Sequence, residues 1–175
     1  MYCDLSAIAQ GFAADKLAGV LDDQGLHDYM IDVSGEIRAK GQNTENQPWQ
    51  IAIERPDAPE RTPYLVVPLE NRSLATSGDY RNYFEKDGKR YSHEIDPGTG
   101  RPITHRLASV SVVADSCAVA DAYATALIVL GPDKGYDMAV RQGLAAFFLV
   151  RNDQGGFDER ETPAFAALGR PSPVR

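Results

Sequence analysis

The chain has 175 residues, 43% of them hydrophobic, with a formal net charge of -7 and a sequence pI of about 4.9. That length supports one well-buried core and leaves little room for a second, so a single domain is expected. Basic residues are scattered rather than gathered into a stripe, which argues against a nucleic-acid partner, and no apolar run approaches the roughly 20 residues of a membrane span.

The opening Met1-Tyr2-Cys3-Asp4 has the features of neither a signal peptide nor a lipoprotein leader, so a soluble chain is expected. Cys3 and Cys117 lack metal-ligand spacing and are expected to be free. From Ser6 to Asp22, Ile8, Ala9, Phe12, Ala13, Leu17, Val20 and Leu21 recur at helical spacing and Gly25 supplies a stop, which predicts an amphipathic helix. Strand-like runs follow at Tyr29 to Val33, Glu36 to Ala39, Trp49 to Glu54 and Tyr64 to Leu69, and they suggest an antiparallel meander. Asp87-Gly88 suits the tight turn of a hairpin with arms Asn82 to Lys86 and Lys89 to His93.

Val110 and Val112 alternate with Ser109 and Ser111 as in a strand. Asp115 or Ser116 then caps an apolar helix running to about Leu130, ended by Gly131-Pro132. A helix from Lys134 to Arg141 and a strand from Ala145 to Val150 complete the regular part. The segment beyond Gly155 reads as turn-rich, and residues 169–175 as a disordered tail. The resulting fold class is α+β, a mainly antiparallel sheet with the first and late helices packed on one side.

An acidic chain that takes an anionic ligand needs local compensation, from backbone N–H groups or from a cation. Four places offer it. In the late helix Asp121 and Thr125 stand four residues apart among small and apolar side chains, so both lie on one face. A carboxylate and a hydroxyl so placed supply two of the oxygens Mg2+ prefers; a dipole contact for Asp121 and a back-bonded Thr125 explain the same spacing. His93 precedes the loop Asp96-Pro97-Gly98-Thr99, where Pro97-Gly98 suits a type II turn and Asp96 an Asx turn, while His93 itself suits proton transfer or a phosphate contact. Thr76-Ser77-Gly78 reads as a small-residue loop that a ligand could approach closely, and Ser34-Gly35-Glu36 as a similar signal. Asp4 or Ser6 is a plausible cap for the first helix, whose exposed N–H groups would suit an anion.

The stretches DLSAIAQGFAAD, DVSGEIRAKG, ATSGDYRNYFEKDGKRYSHEIDPGTGRPITH and SVSVVADSCAVADAYATALIVLG, in this order, resemble the FAD:protein FMN transferases of the ApbE family from Asp4 to about Val150. The resemblance implies a Mg2+-dependent enzyme that transfers FMN from FAD to a Thr or Ser hydroxyl of a target protein and releases AMP. It places Asp121, Thr125 and the main-chain oxygen of Ala7 at the metal. Asp4, Gln10 and Ile95 fall at FAD contacts, with Asp96, Thr99 and Gly78 beside them as further cofactor-binding candidates. His93 falls where a histidine lies close to the reacting phosphate, and it is the expected general base. An FAD pyrophosphatase and a non-catalytic flavin-binding module are the alternatives.

The chain also departs from the family pattern. Most relatives carry Lys at the position of Gln10, and some carry a second carboxylate where this chain has Ala124. By the resemblance, residues 1–168 are the flavin transferase domain without its usual amino-terminal half, and the family's usual place is the periplasmic side of the bacterial inner membrane.

Overall fold

The computed structural model describes residues 4–58, 60–79, 83–86, 89–169 and 172–173, of which 83–86, 89–91 and 172–173 are described by backbone course. Cys3, Tyr80 and the Asp87-Gly88 turn lie outside the described residues. In chain order the elements are α1 (Ser6–Asp23), β1 (Tyr29–Val33), β2 (Glu36–Lys40), β3 (Trp49–Glu54), β4 (Pro63–Leu69), β5 (Ser73–Gly78), β6 (Tyr83–Lys86), β7 (Lys89–Ser92), β8 (Ile95–Asp96) and β9 (Arg101–Pro102). They continue as β10 (Leu107–Ala114), α2 (Cys117–Leu130), α3 (Lys134–Arg141), β11 (Ala145–Arg151), β12 (Phe157–Glu161), α4 (Pro163–Ala166) and β13 (Ser172–Pro173). Among the described residues no helix is long and apolar enough to cross a membrane.

A six-stranded antiparallel sheet in the order β1-β2-β5-β10-β11-β12 forms the centre of the molecule. Its strands β10 and β11 are buried on both faces. Along β11, Ala145, Phe147 and Leu149 join one core cluster while Ala146 and Phe148 join the other, the period-2 alternation of a strand covered on both sides. One cluster packs under α2 through Ala120, Ala124, Leu127 and Ile128. The other packs against Ile51 and Ile53 of β3 and Val67 and Leu69 of β4, which belong to a separate sheet, β13-β4-β3.

The expected meander of the first four strands is therefore corrected. β2 pairs with β5, through Ile37 opposite Leu74 and Arg38 opposite Ser73, whereas β3 and β4 leave the sheet to cover its far face. The Thr76-Ser77-Gly78 loop is corrected too, because these residues end β5, paired with Ser111, Val110 and Ser109 of β10. Local preference for a strand is weak in Ser-Leu-Ala-Thr-Ser-Gly, and β5 is a strand because its neighbours bury it on two edges. β12 and α4 occupy the segment read as turns. β12 is a charged edge strand, Phe-Asp-Glu-Arg-Glu, whose composition suits solvent and conceals its pairing with β11. Within 169–175, Ser172 and Pro173 pair with Val66 and Leu65.

α1 and α2 lie together on one face of the sheet, and their approach is unusually close. A Cβ on Gly11 would stand 2.4 Å from the main-chain oxygen of Cys117. α1 consequently buries its small residues, Gly11, Ala14 and Ala18, and leaves Phe12, Leu17 and Val20 at least half exposed. The apolar stripe read from periodicity is not the buried one, since small side chains allow the helix axes to come nearer than large ones. Asp15 fastens the contact, its carboxylate accepting hydrogen bonds from Cys117 N (2.9 Å), Ala118 N (3.0 Å) and Ser116 Oγ (2.7 Å). Ser116 caps α2 as expected, its Oγ accepting from Val119 N at 3.3 Å. At the start of α1 the cap position falls on Leu5, and the Asp4 carboxylate accepts from Ser6 N at 2.8 Å.

Candidate functional site

The face that carries α1 and α2 also holds a cavity of about 1090 Å³, walled by the ends of several elements. The start of α1 supplies Asp4, Ser6, Ala7 and Gln10; the β1–β2 hairpin supplies Ser34 and Glu36; the end of β5 supplies Thr76, Ser77 and Gly78. His93, Glu94, Ile95 and Pro97 arrive from the segment after β7, and Asp121, Ala122, Thr125, Ala126 and Val129 from α2. Candidates separated by more than 100 residues in sequence thus share one wall.

Asp121 is 5% exposed, and its Oδ2 accepts a hydrogen bond from Gly11 N at 2.9 Å. Burial pushes its pKa up, against the pull of that N–H. Ala7, whose carbonyl lies four residues before Gly11 in α1, lines the same cavity as Asp121. Thr125 sits one turn further along α2, with its Oγ1 3.3 Å from Ser77 Oγ. Neighbouring Thr76 Oγ1 lies 2.7 Å from Ser111 Oγ, which holds the end of β5 in place. Asp79, the next residue after β5, is gripped by Arg151 through two hydrogen bonds, one of them 3.1 Å.

Glu36 is a second buried carboxylate, and it enters the cavity because Ser34 and Gly35 take the left-handed φ values, 58° and 106°, of a two-residue hairpin turn. It is 7% exposed and its Oε2 has no hydrogen-bond partner. Its pKa is pushed up to about 7, first by burial and then by the negative charge of Asp121, with Asp32 adding to it. The unfolded chain would release this proton near 4.5 while the folded chain keeps it to about 7, so the contribution to stability is lost as pH rises between those values. Without divalent cations, Glu36→Gln is therefore expected to gain stability over the wild type between about pH 5 and about pH 8. Thermal denaturation in EDTA at both pH values checks this, and parallel curves would remove the effect.

His93 also lines the cavity, its Nε2 3.2 Å from Glu94 Oε1, the histidine side chain 43% exposed and the glutamate 16%. Burial pushes the Glu94 pKa up, and the neighbouring His93 opposes the shift. Asp96 and Thr99 are not among the cavity-lining residues. Their polar atoms are used inside the loop: Asp96 Oδ1 accepts from Gly98 N at 2.8 Å, and Thr99 Oγ1 donates to Asp96 Oδ2 at 3.2 Å. The left-handed glycine of this loop is Gly100, φ 64°, rather than Gly98, so the expected type II turn is replaced by one closed by Gly100 N donating to Asp96 O at 2.8 Å. Asp15 carried no distinguishing signal in the sequence, because its role depends on partners about 100 residues away, and Glu94 carried none because its burial is set by what packs around it.

Among the described residues no three His, Cys, Asp or Glu side chains gather as a metal cage. A cation here would instead meet mixed oxygens: a carboxylate from Asp121, a hydroxyl from Thr125 and a main-chain carbonyl from Ala7. This donor set fits a hard ion that keeps part of its water, as Mg2+ does.

The ApbE family model matches residues 1–148. The chain is 48% identical over 169 residues to the FAD:protein FMN transferase of Haemophilus influenzae, covering 96% of this chain and 49% of that protein. It is 44% identical to the enzyme of the same name from Escherichia coli K12, covering 86% and 43%. Among solved structures it matches the apo flavinyl transferase ApbE of Pseudomonas stutzeri with a TM-score of 0.82 at 47% identity, over 94% of this chain and 50% of the other. The flavin transferase ApbE of Vibrio cholerae matches with a TM-score of 0.84 at 43% identity, over 95% and 52%. The chain spans about half the length of the curated relatives it matches. With both sequence and fold in agreement over nearly all its residues, the chain belongs to the ApbE family.

Proposed function

We propose that this chain forms the metal and pyrophosphate part of an FAD:protein FMN transferase, transferring FMN from FAD to a Thr or Ser hydroxyl of a target protein with release of AMP. The observation that supports it most is the convergence of Asp121, Thr125 and Ala7 on one cavity that His93 borders. Relatives at 48% and 44% identity carry the same activity in their names.

On this reading Asp121, Thr125 and the Ala7 carbonyl hold Mg2+, which when bound supplies positive charge to the pyrophosphate oxygens. Asp4, Gln10, Gly78 and Ile95 border the space left for the nucleotide. Ser77 Oγ, 3.3 Å from Thr125 Oγ1, keeps the threonine hydroxyl turned toward the cavity. His93 Nε2 lies 3.2 Å from Glu94 Oε1, and on this reading Nδ1 takes the proton of the acceptor hydroxyl. The acceptor oxygen then bonds to the FMN phosphorus while the bond to the bridging oxygen breaks, and AMP leaves with that oxygen. Glu94 orients the ring, as the third member of a nucleophile-base-orienter set does.

Incubating the chain with FAD, Mg2+ and a Thr-bearing target peptide tests the reading by mass. A peptide heavier by FMN supports transfer, AMP with free FMN marks the pyrophosphatase, and unchanged FAD marks the binding module. His93→Ala is expected to lower the rate by roughly 100-fold or more, the usual worth of a general base, with less effect on FAD affinity. An unaltered rate in that variant would discard the proton-transfer role.

A further inference from the structure

Four carboxylates line the cavity, those of Asp4, Glu36, Glu94 and Asp121, and its described residues include no Lys or Arg. A pyrophosphate entering the space meets like charge from these four side chains unless a cation comes with it. Glu36 is the member without an assigned task. It is 7% exposed, its Oε2 is unpartnered, and it faces the same space as Asp121. A buried carboxylate oxygen without a partner costs several kcal/mol relative to a paired one, so its retention on the floor of a ligand cavity points to a ligand-borne donor. The position is also well fixed: Glu36 opens β2 directly after a two-residue turn, paired with Val33, and Asp32 Oδ1 accepts from Gly35 N at 2.7 Å within that turn.

We propose that Glu36 is a positioning residue for a divalent cation at Asp121 and Thr125, its free Oε2 accepting a hydrogen bond from cation-bound water. It thereby raises cation affinity and makes nucleotide binding conditional on the cation. This rests on the cation reading of the site and assigns Glu36 within it. The carboxylate favours the cation and, with no cation present, repels the pyrophosphate. Removing its charge should therefore change FAD affinity in opposite directions under the two conditions.

The test is direct Mg2+ titration by calorimetry, together with FAD binding followed by flavin fluorescence, on the wild type, Glu36→Gln, Glu36→Asp and Asp121→Ala. Glu36→Gln is expected to keep the fold by circular dichroism and to bind Mg2+ about tenfold more weakly, a difference of about 1.4 kcal/mol. Glu36→Asp, which retains the charge, should recover part of that loss. At pH 8, where Glu36 is ionised even without a cation, the Gln variant in EDTA should bind FAD more tightly than the wild type, and in excess Mg2+ more weakly; a purely structural role would shift both in one direction. Unchanged Mg2+ affinity in Glu36→Gln, or FAD shifts of the same sign, overturns the assignment. If Asp121→Ala loses Mg2+ while Glu36→Gln does not, Glu36 alone is excluded. If the wild type takes up no Mg2+, the cation reading and the role of Glu36 fall together.

Discussion

Asp121→Ala is expected to abolish magnesium-dependent turnover of FAD, a loss on the order of 100-fold or more, while the protein stays folded. The variant removes the one charged oxygen of a donor set whose other members, the Thr125 hydroxyl and the Ala7 carbonyl, are neutral. Two effects on stability oppose each other. A desolvated carboxylate, with its pKa pushed up by burial, is relieved, but Gly11 N loses its acceptor at 2.9 Å. Holding a desolvated carboxylate that keeps one N–H donor, and orphaning that buried N–H, each cost on the order of 1–3 kcal/mol, so the net change should be small. Activity against Mg2+ concentration and a thermal melt, measured on the same preparation, separate the two. Turnover at the wild-type level would remove Asp121 from the metal site.

The second large effect is expected at Gly11. An alanine normally improves a helix by about 1 kcal/mol over glycine, but at this position its Cβ would lie 2.4 Å from Cys117 O and 2.8 Å from Ala118 Cα. Main-chain atoms cannot yield as a flexible side chain can, so α1 and α2 must separate. Gly11→Ala should then destabilise by roughly 3 kcal/mol, at the upper end of overpacking costs. The same separation would pull Gly11 N from Asp121 and disturb the Asp15 contacts at the start of α2, so cation binding should weaken with stability. Gly19→Ala is the control: it lies on the same helix with nothing within 4 Å of its new Cβ, and it should stabilise by up to about 1 kcal/mol. Chemical denaturation of both variants gives the signs directly. If Gly11→Ala proves as stable as Gly19→Ala, the close helix approach does not exist in solution.

The sequence determined by itself the elements whose signals are local. α2 begins at a serine cap and ends at Gly131-Pro132; β1 and β3 have the bounds that hydrophobic alternation and turn residues dictate. The pair Asp121 and Thr125 was legible for the same reason, because a spacing of four in a helix fixes a shared face whatever surrounds it. The family likeness rested on such stretches read in order.

Only the tertiary structure decided which surfaces meet. β5 has little strand preference, yet it joins β2 to β10 at the middle of the sheet, and β12 is a strand through its pairing with β11. In α1 periodicity marks Phe12, Leu17 and Val20, whereas the buried residues are Gly11, Ala14 and Ala18. Large apolar residues dominate any hydrophobic pattern, but close helix contact selects small ones, and no window of sequence records the partner. Glu36 and Asp15 follow the same rule. A carboxylate's burial and its partners are set by what packs over it, here α2, which begins 81 residues after Glu36 and 102 after Asp15.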